Sequence, residues 1–231
     1  MQKEKCTAIV LAAGQGKRMG TKVQKQYLEL GGKPVLYYSL RAFEESPLID
    51  EVILVVGDEQ EAYCRGEIVE KYHFAKINAI VQGGAERYHS VWNGLQKVEG
   101  GFVFIHDGAR PFVNEEIICR AYEEVKACDA CVVGMPVKDT IKVSDENGFV
   151  KDTPDRRTLW MIQTPQVFQT ALVKEAYQKL MNQKEIQVTD DAMVVERMLG
   201  RKVKLVMGSY ENIKITTPED LEIATTFLSK K

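Results

Sequence analysis

The chain has 231 residues and a mass of 26.1 kDa, enough for one large α/β domain with room for an excursion. Apolar residues at 45% and charged residues at 28% exclude a mainly disordered chain. A net charge of -2 gives no support for a nucleic-acid or anionic-membrane partner, so any phosphate-binding basicity has to be local.

Strand and helix patterns alternate along the chain, which predicts an α/β fold with a doubly wound, mainly parallel sheet covered on both faces. The first strand is expected over 7–11. A helix follows over about 34–45, with Pro34 at its first position and Leu36, Leu40 and Phe43 inward. Further strands are expected at 52–56, 77–81, 102–105, 131–135 and 203–206, and helices at about 59–72, 86–98, 170–182 and 190–199. Asn114 reads as the cap of another helix, Thr189 as the cap of the 190–199 helix, and Thr217 with Pro218 as the start of the last. Between 137 and 156 the rhythm breaks into a polar, β-like stretch around Asn147-Gly148, a hairpin signal. An isolated two-stranded hairpin is marginal in water, so this arm is expected to pack on something, a second subunit being the economical choice and a flap on its own domain the alternative. The chain is otherwise one domain, 1–231, without repeat or linker.

No apolar run approaches the ~20 residues of a membrane span. The N-terminus Met1-Gln2-Lys3-Glu4-Lys5 lacks an apolar signal core, so a cytoplasmic location is expected. Five cysteines with a lone Cys128-x-x-Cys131 pair are weak support for zinc, and Cys131 reads as a buried, reduced strand residue.

The loop after the first strand, Leu11-Ala12-Ala13-Gly14-Gln15-Gly16-Lys17-Arg18-Met19-Gly20, organises the rest. Its small residues let backbone N–H groups face an anion, while Lys17, Arg18, Lys22 and Lys25 add positive charge suited to a nucleoside triphosphate. The spacing is wrong for a dinucleotide fingerprint, since Gly20 falls one residue late after Gly14 and Gly16. It is also wrong for a P-loop, since Gly20 is followed by Thr21-Lys22.

Three later motifs also fall near expected strand ends. Gly83-Gly84 permit close approach of a ligand, with Ser90 able to bond a ribose or base and Arg87 able to support the loop. Asp107 suits Mg²⁺, which takes few protein carboxylates, and Arg110 can grip a phosphate bidentately, although an Asp–Arg structural pair is the plain alternative. His106 reads as a satisfied, half-buried histidine rather than a base. Asp139-Thr140, Arg156, Thr164-Pro165-Gln166, Thr189-Asp190-Asp191 and Asn212-Ile213-Lys214 suggest a second anion pocket, though each could equally be a cap or turn.

Ala12-Ala13-Gly14-x-Gly16-x-Arg18-Met19, Lys25-Gln26-Tyr27-Leu28, Asp107-Gly108-Ala109-Arg110-Pro111, Thr164-Pro165-Gln166 and Asn212-Ile213-Lys214 occur in that order. As a set they resemble the 2-C-methyl-D-erythritol 4-phosphate cytidylyltransferases of the non-mevalonate isoprenoid pathway, over roughly residues 5–229. The resemblance implies a Rossmann-like nucleotidyltransferase fold with a projecting β-arm, a homodimer with embracing arms, and Mg²⁺. It implies a reaction of CTP with the sugar-alcohol phosphate, giving the cytidine diphosphate product and pyrophosphate. It further implies that Ala12, Ala13, Gly14, Gly84 and Ser90, with Gly16 of the same loop, bind the CTP. Arg18 and Lys25 would hold its triphosphate, Lys214 the α-phosphate and Asp107 the metal. Arg110, Thr140, Arg156 and Thr164 would surround the sugar phosphate, Thr140 and Arg156 reaching over from the partner's arm.

Two positions depart from the pattern: Gln24 where a proline or small residue is usual, and Ala85 where an acidic residue often follows the glycines. Arg157 competes with Arg156 as the arm's ligand, the spacing to Trp160 favouring Arg156. A ribitol-5-phosphate cytidylyltransferase and a non-catalytic CTP-binding module remain the alternative readings.

Overall fold

The computed structural model describes residues 3–14, 24–183 and 187–230. In chain order its elements are β1 (Cys6–Ala12), β2 (Glu29–Leu30), β3 (Lys33–Pro34), α1 (Val35–Glu45), β4 (Glu51–Val56), α2 (Glu61–Tyr63), β5 (Ile77–Gln82), α3 (Arg87–Leu95), β6 (Phe102–Asp107), α4 (Glu115–Cys128) and β7 (Ala130–Pro136). There follow β8 (Val143–Ser144), β9 (Val150–Asp152), β10 (Trp160–Gln169), α5 (Thr170–Met181), α6 (Asp191–Leu199), β11 (Lys204–Met207) and α7 (Pro218–Leu228). A 3₁₀ turn at Lys25–Tyr27 precedes β2.

Seven strands form one sheet in the order β11-β7-β10-β6-β1-β4-β5. All neighbours are parallel except β10, which runs antiparallel between β6 and β7. From β1 the chain winds one way to β4 and β5, then returns to place β6 on the other side. The carboxyl ends of β1 and β6 therefore flank a topological switch point, where open α/β sheets bind ligands. Alternation along β1 feeds two cores. Cys6, Ala8, Val10 and Ala12 pack with Leu36, Leu40 and Phe43 of α1 and Ile117, Ala121 and Val125 of α4. Ile9 faces the other way, in the core of Val91 and Leu95 of α3, Tyr177 of α5 and Val194 of α6. A smaller cluster of Leu30, Val35, Phe112, Ile215 and Ala224 ties β2 and α7 to the body.

Most expected elements stand within a residue or two of their predicted bounds. The Asn114 cap is formed, its side chain accepting from the Ile117 N–H, and Thr217 and Asp220 make a reciprocal capping box with Pro218 at the first turn. Two expectations are corrected. The 59–72 helix is a single α-turn, α2, running into a π-helical stretch at Cys64–Glu70, with Glu59 at positive φ before it. Asp190, not Thr189, caps α6, accepting from the Met193 N–H at 2.9 Å. The ten-residue β10 carries little local strand signal, because Gln-Thr-Pro-Gln breaks its apolar alternation and a proline argues against a central strand. The structure resolves that conflict with a register shift between Ile162 and Gln166, which takes Pro165 out of the ladder.

The 137–156 excursion contains the ribbon of β8 and β9, separate from the main sheet, with residues 138–153 exposed. At its turn Asp145 Oδ1 accepts from the N–H groups of Asn147 and Phe149, and Gly148 takes φ +83°. Phe149 is 72% exposed and Val150 62%, apolar area that a lone domain leaves in water. Among the described residues no helix is long and apolar enough to cross a membrane.

Candidate active site

A cleft of about 700 Å³ opens at the carboxyl ends of β1, β4, β5 and β6. Ala13 and Gly14 line it from β1, Gly57 and Asp58 from β4, and Gly83, Gly84, Ala85 and Glu86 from the β5–α3 loop. Lys25, Gln26, Arg87, Ser90, Asp107, Ala109 and Lys214 complete it. The glycines are there for space. A Cβ on Gly83 would stand 2.4 Å from the Ala13 Cβ and 2.9 Å from Ser90 Oγ, and one on Gly84 2.4 Å from the His89 Cβ.

Ser90 is a fastener as well as a lining residue. Its hydroxyl accepts from the Gly84 N–H at 3.0 Å and reaches the Glu86 carbonyl at 3.3 Å, folding the glycine loop onto α3. On the opposite wall Gln26, 2% exposed, donates to the carbonyls of Ala12 at 2.5 Å and Gly14 at 3.1 Å. Gln26 also donates to Gln24 Oε1 at 2.8 Å. The Lys25-Gln26 pair therefore divides its work: Gln26 clips the end of β1, and Lys25 is carried to the cleft. Gln24, one of the two departures from the family pattern, braces that clip beside Gly57.

The floor of the cleft is an ion network. Asp107 Oδ2 lies 2.7 Å from Lys214 Nζ and 4.0 Å from Arg110 Nε, while Oδ1 lies 3.2 Å from Arg87 Nε. Burial by itself would raise the Asp107 carboxyl, but Arg87, Lys214 and Arg110 outweigh it and hold it well below the usual carboxylate range. Behind it the Arg87 guanidinium makes two 2.8 Å bonds to Asp191, a fully buried carboxylate that also accepts from Tyr177 Oη at 2.5 Å. Taking Arg87 away would leave the buried Asp191 charge uncompensated, at a cost of up to ~3–5 kcal/mol.

Beneath Asp107 runs a second chain of bonds. Thr164 Oγ1 accepts from the Asp107 N–H at 3.0 Å and donates to His106 Nδ1 at 3.0 Å, and His106 Nε2 donates to the Arg110 carbonyl at 3.2 Å, the tautomer following from these partners. Burial pushes His106 down to about 4, so it is neutral at pH 7, and its ring packs edge-on against Phe43. This is the satisfied histidine the sequence suggested, more deeply buried than expected.

The structure gathers Ala13, Gly14, Lys25, Gly84, Ser90, Asp107 and Lys214 around one cleft. Gly16 and Arg18 lie outside the described residues. Ala12 turns its side chain into the core and gives its carbonyl to Gln26. Thr164 is 3% exposed, and its hydroxyl supports Asp107 from below rather than facing the cleft. Arg110 donates to the Asn212 carbonyl at 2.8 Å and the Ile162 carbonyl at 3.5 Å, and among the described residues its buried Nε finds no acceptor. Thr140 and Arg156 sit on the exposed arm and do not line the cleft of their own chain. The two arm arginines differ. Arg157 is paired with Asp155 at 2.6 Å, whereas Arg156 donates to the Lys138 carbonyl at 3.0 Å and forms no ion pair within 4 Å among the described residues. Arg87, Asp191 and Gln26 carry more of the site than their sequence context indicated.

No group of three or more His, Cys, Asp or Glu residues that could hold a metal occurs among the described residues. Mg²⁺ needs only one or two protein carboxylates, its shell being completed by water and phosphate oxygens, and Asp107 is the carboxylate at the floor of the cleft.

A mainly parallel α/β sheet with a glycine-walled, lysine-bearing cleft at its switch point matches the architecture of a nucleotidyltransferase. Comparison with known proteins narrows this. A match to the family described as 2-C-methyl-D-erythritol 4-phosphate cytidylyltransferase spans residues 6–230. The protein of that name from Lachnospira eligens is 58% identical over 224 residues, covering 96% of this chain and 98% of its own. That from Caldanaerobacter subterraneus is 51% identical over 226 residues, covering 97% and 99%. The crystal structure of 4-diphosphocytidyl-2C-methyl-D-erythritol synthase from Anaerococcus prevotii superposes with a TM-score of 0.86 at 36% identity, over 98% of this chain and 97% of that one. The chain belongs to the 2-C-methyl-D-erythritol 4-phosphate cytidylyltransferase family.

Proposed function

We infer that this protein joins CTP and 2-C-methyl-D-erythritol 4-phosphate, releasing pyrophosphate and forming the 4-diphosphocytidyl alcohol. The observation that carries the reading is Asp107 held between Lys214 and Arg87 at the end of β6, in a cleft that also carries Lys25.

The reacting groups are both anions. A phosphate monoester has its second pKa near ~6, so the substrate's own phosphate oxygen is already a nucleophile at neutral pH. It forms a bond to the α-phosphorus of CTP, the bond from that phosphorus to the bridging oxygen breaks, and pyrophosphate leaves. No general base is required, in keeping with His106 being buried, neutral and fully bonded. What the protein supplies is alignment and positive charge. Lys25 and Lys214 face the triphosphate, the latter exchanging Asp107 for a phosphate oxygen, and the glycine wall takes the cytidine. Asp107 is the carboxylate that would hold Mg²⁺, whose charge, when bound, offsets that of the phosphates. With Ala85 in place of an acidic side chain, recognition of the base falls to backbone groups of the 83–86 loop.

The sugar phosphate is completed across a homodimer. Thr140 and Arg156 stand away from their own cleft on a ribbon with exposed Phe149 and Val150, which suits an arm that reaches the neighbour's site. A cytoplasmic setting belongs to the same reading, supported by five cysteines that are all free thiols.

A coupled pyrophosphate-release assay tests the reading. Release with CTP plus methylerythritol phosphate, and not with CTP plus ribitol 5-phosphate, is the expected result. CTP binding without release under either condition would overturn it in favour of a non-catalytic module, and release with ribitol phosphate alone would move the chain to the other cytidylyltransferase.

A further inference from the structure

One fully buried carboxylate lies not in the cleft but behind it. Asp191 is the first residue of α6 and is fully buried. A buried carboxylate is tolerated only when its oxygens are satisfied. Asp191 has three donors: Arg87 Nη1 and Nη2, each at 2.8 Å, and Tyr177 Oη at 2.5 Å. The two-pronged bond fixes the plane of the Arg87 guanidinium, and that plane leaves Nε aimed at Asp107 Oδ1, 3.2 Å away. Arg87 is also the first residue of α3, directly after the glycine wall of the cleft. One carboxylate from a distant part of the chain thus governs two edges of the site.

We infer that Asp191 and Tyr177, acting through Arg87, are positioning residues for the cytidylyl transfer: they hold Asp107 in place while Lys214 leaves it for the triphosphate. The inference rests on the reading given above. Its logic is a division of labour between two cations. Lys214 ends in a single ammonium on a flexible stem and holds Asp107 through one bond, which suits a group that must move to a phosphate. Arg87 is locked by two bonds and cannot follow. When Lys214 moves, Oδ1 of Asp107 stays tied to Arg87, so the carboxylate keeps its orientation instead of turning after the lysine. A lysine at position 87 would keep the charge but could not bridge Asp191 and Asp107 together.

The test must separate positioning from mere folding, since Arg87→Met alone strands Asp191 as a buried, unpaired charge. Adding Asp191→Asn removes that charge. The double variant Arg87→Met/Asp191→Asn is therefore expected to regain most of the Tm lost by Arg87→Met while its kcat stays at least 10-fold below wild type. KM for CTP is expected to shift less than 3-fold. Recovery of kcat together with Tm, to within twofold of wild type, would overturn the inference and leave the pair a purely structural one. Arg87→Lys gives a milder second variant: a folded protein with kcat at least 10-fold down supports the inference, and near-wild-type kcat sinks it. Wild-type pyrophosphate release measured alongside tests the underlying reading separately. A crystal structure of the double variant asks the same question without turnover. Asp107 turned from its wild-type orientation is the expected result, and Asp107 unmoved would contradict it.

Discussion

The ammonium of Lys214 lies 2.7 Å from Asp107 Oδ2, joining residues 107 positions apart in the chain. Lys214 stands between β11 and α7, Asp107 at the end of β6, and their meeting places a cation at the floor of the cleft.

Lys214→Ala is expected to leave the fold intact, because Asp107 keeps Arg87 and the lysine is partly exposed. Its kcat should fall by about 10²-fold or more, by analogy with the ~3 kcal/mol lost with one transition-state donor. Lys25→Ala should behave in the same way. Steady-state turnover at saturating substrates checks both, and near-wild-type kcat in either folded variant would contradict the charge-neutralisation mechanism.

Gln26→Leu removes three donated bonds from a side chain that is almost wholly buried. The carbonyl of Ala12 is left without its side-chain donor, at a cost of ~1–3 kcal/mol. Because the clip shapes the end of β1 and carries Lys25, KM for CTP should rise by more than the Tm loss alone would bring about. Denaturant titration paired with CTP titration separates the two effects.

His106 links pH to stability. Its folded pKa is lowered to about 4, against an ordinary value of ~6.5 in the unfolded chain. Between those values the unfolded state binds a proton that the native state refuses, so stability falls as pH drops from ~6.5 to ~4, with a slope of up to ~1.4 kcal/mol per pH unit. Above ~6.5 this contribution is flat. Urea unfolding at pH 7 and pH 5, compared with His106→Gln, should show the wild type losing more stability between the two; equal losses would refute the assignment.

If the arm serves the neighbouring cleft, two inactive proteins should complement. Mixing Arg156→Ala dimers with Lys25→Ala dimers under conditions of subunit exchange is expected to restore part of the activity, through hybrid sites that carry both intact residues. Absence of recovery with exchange demonstrated by mass spectrometry would mean that each site is built from one chain.

Several features of the fold were legible because they are written locally. The alternation of β1, the Asn114 and Thr217 caps and the Asn147-Gly148 turn each depend on neighbours a few positions away. β10 was hidden because its signal is not local. Pro165 and the surrounding polar residues are admissible in a central strand only because the β7 ladder shifts register around them and the β6 ladder begins at Gln166. The roles of Arg87 and Asp191 are hidden for the same reason, since neither sequence context reveals a partner 104 positions away. For Thr164 and Arg110 the residue types were noticed, but their principal bonds, to the Asp107 N–H and to the Asn212 carbonyl, come from chain reversals that no spacing encodes.

By itself the sequence determined the kind of chemistry: a glycine-rich turn, a set of cations and one well-placed carboxylate, because residue type dictates charge, hydrogen-bonding capacity and backbone freedom. Which of those groups face the cleft and which brace it from behind was decided only by the tertiary structure. Burial, and the requirement that every buried polar atom find a partner, act between segments that are neighbours only once the sheet has closed.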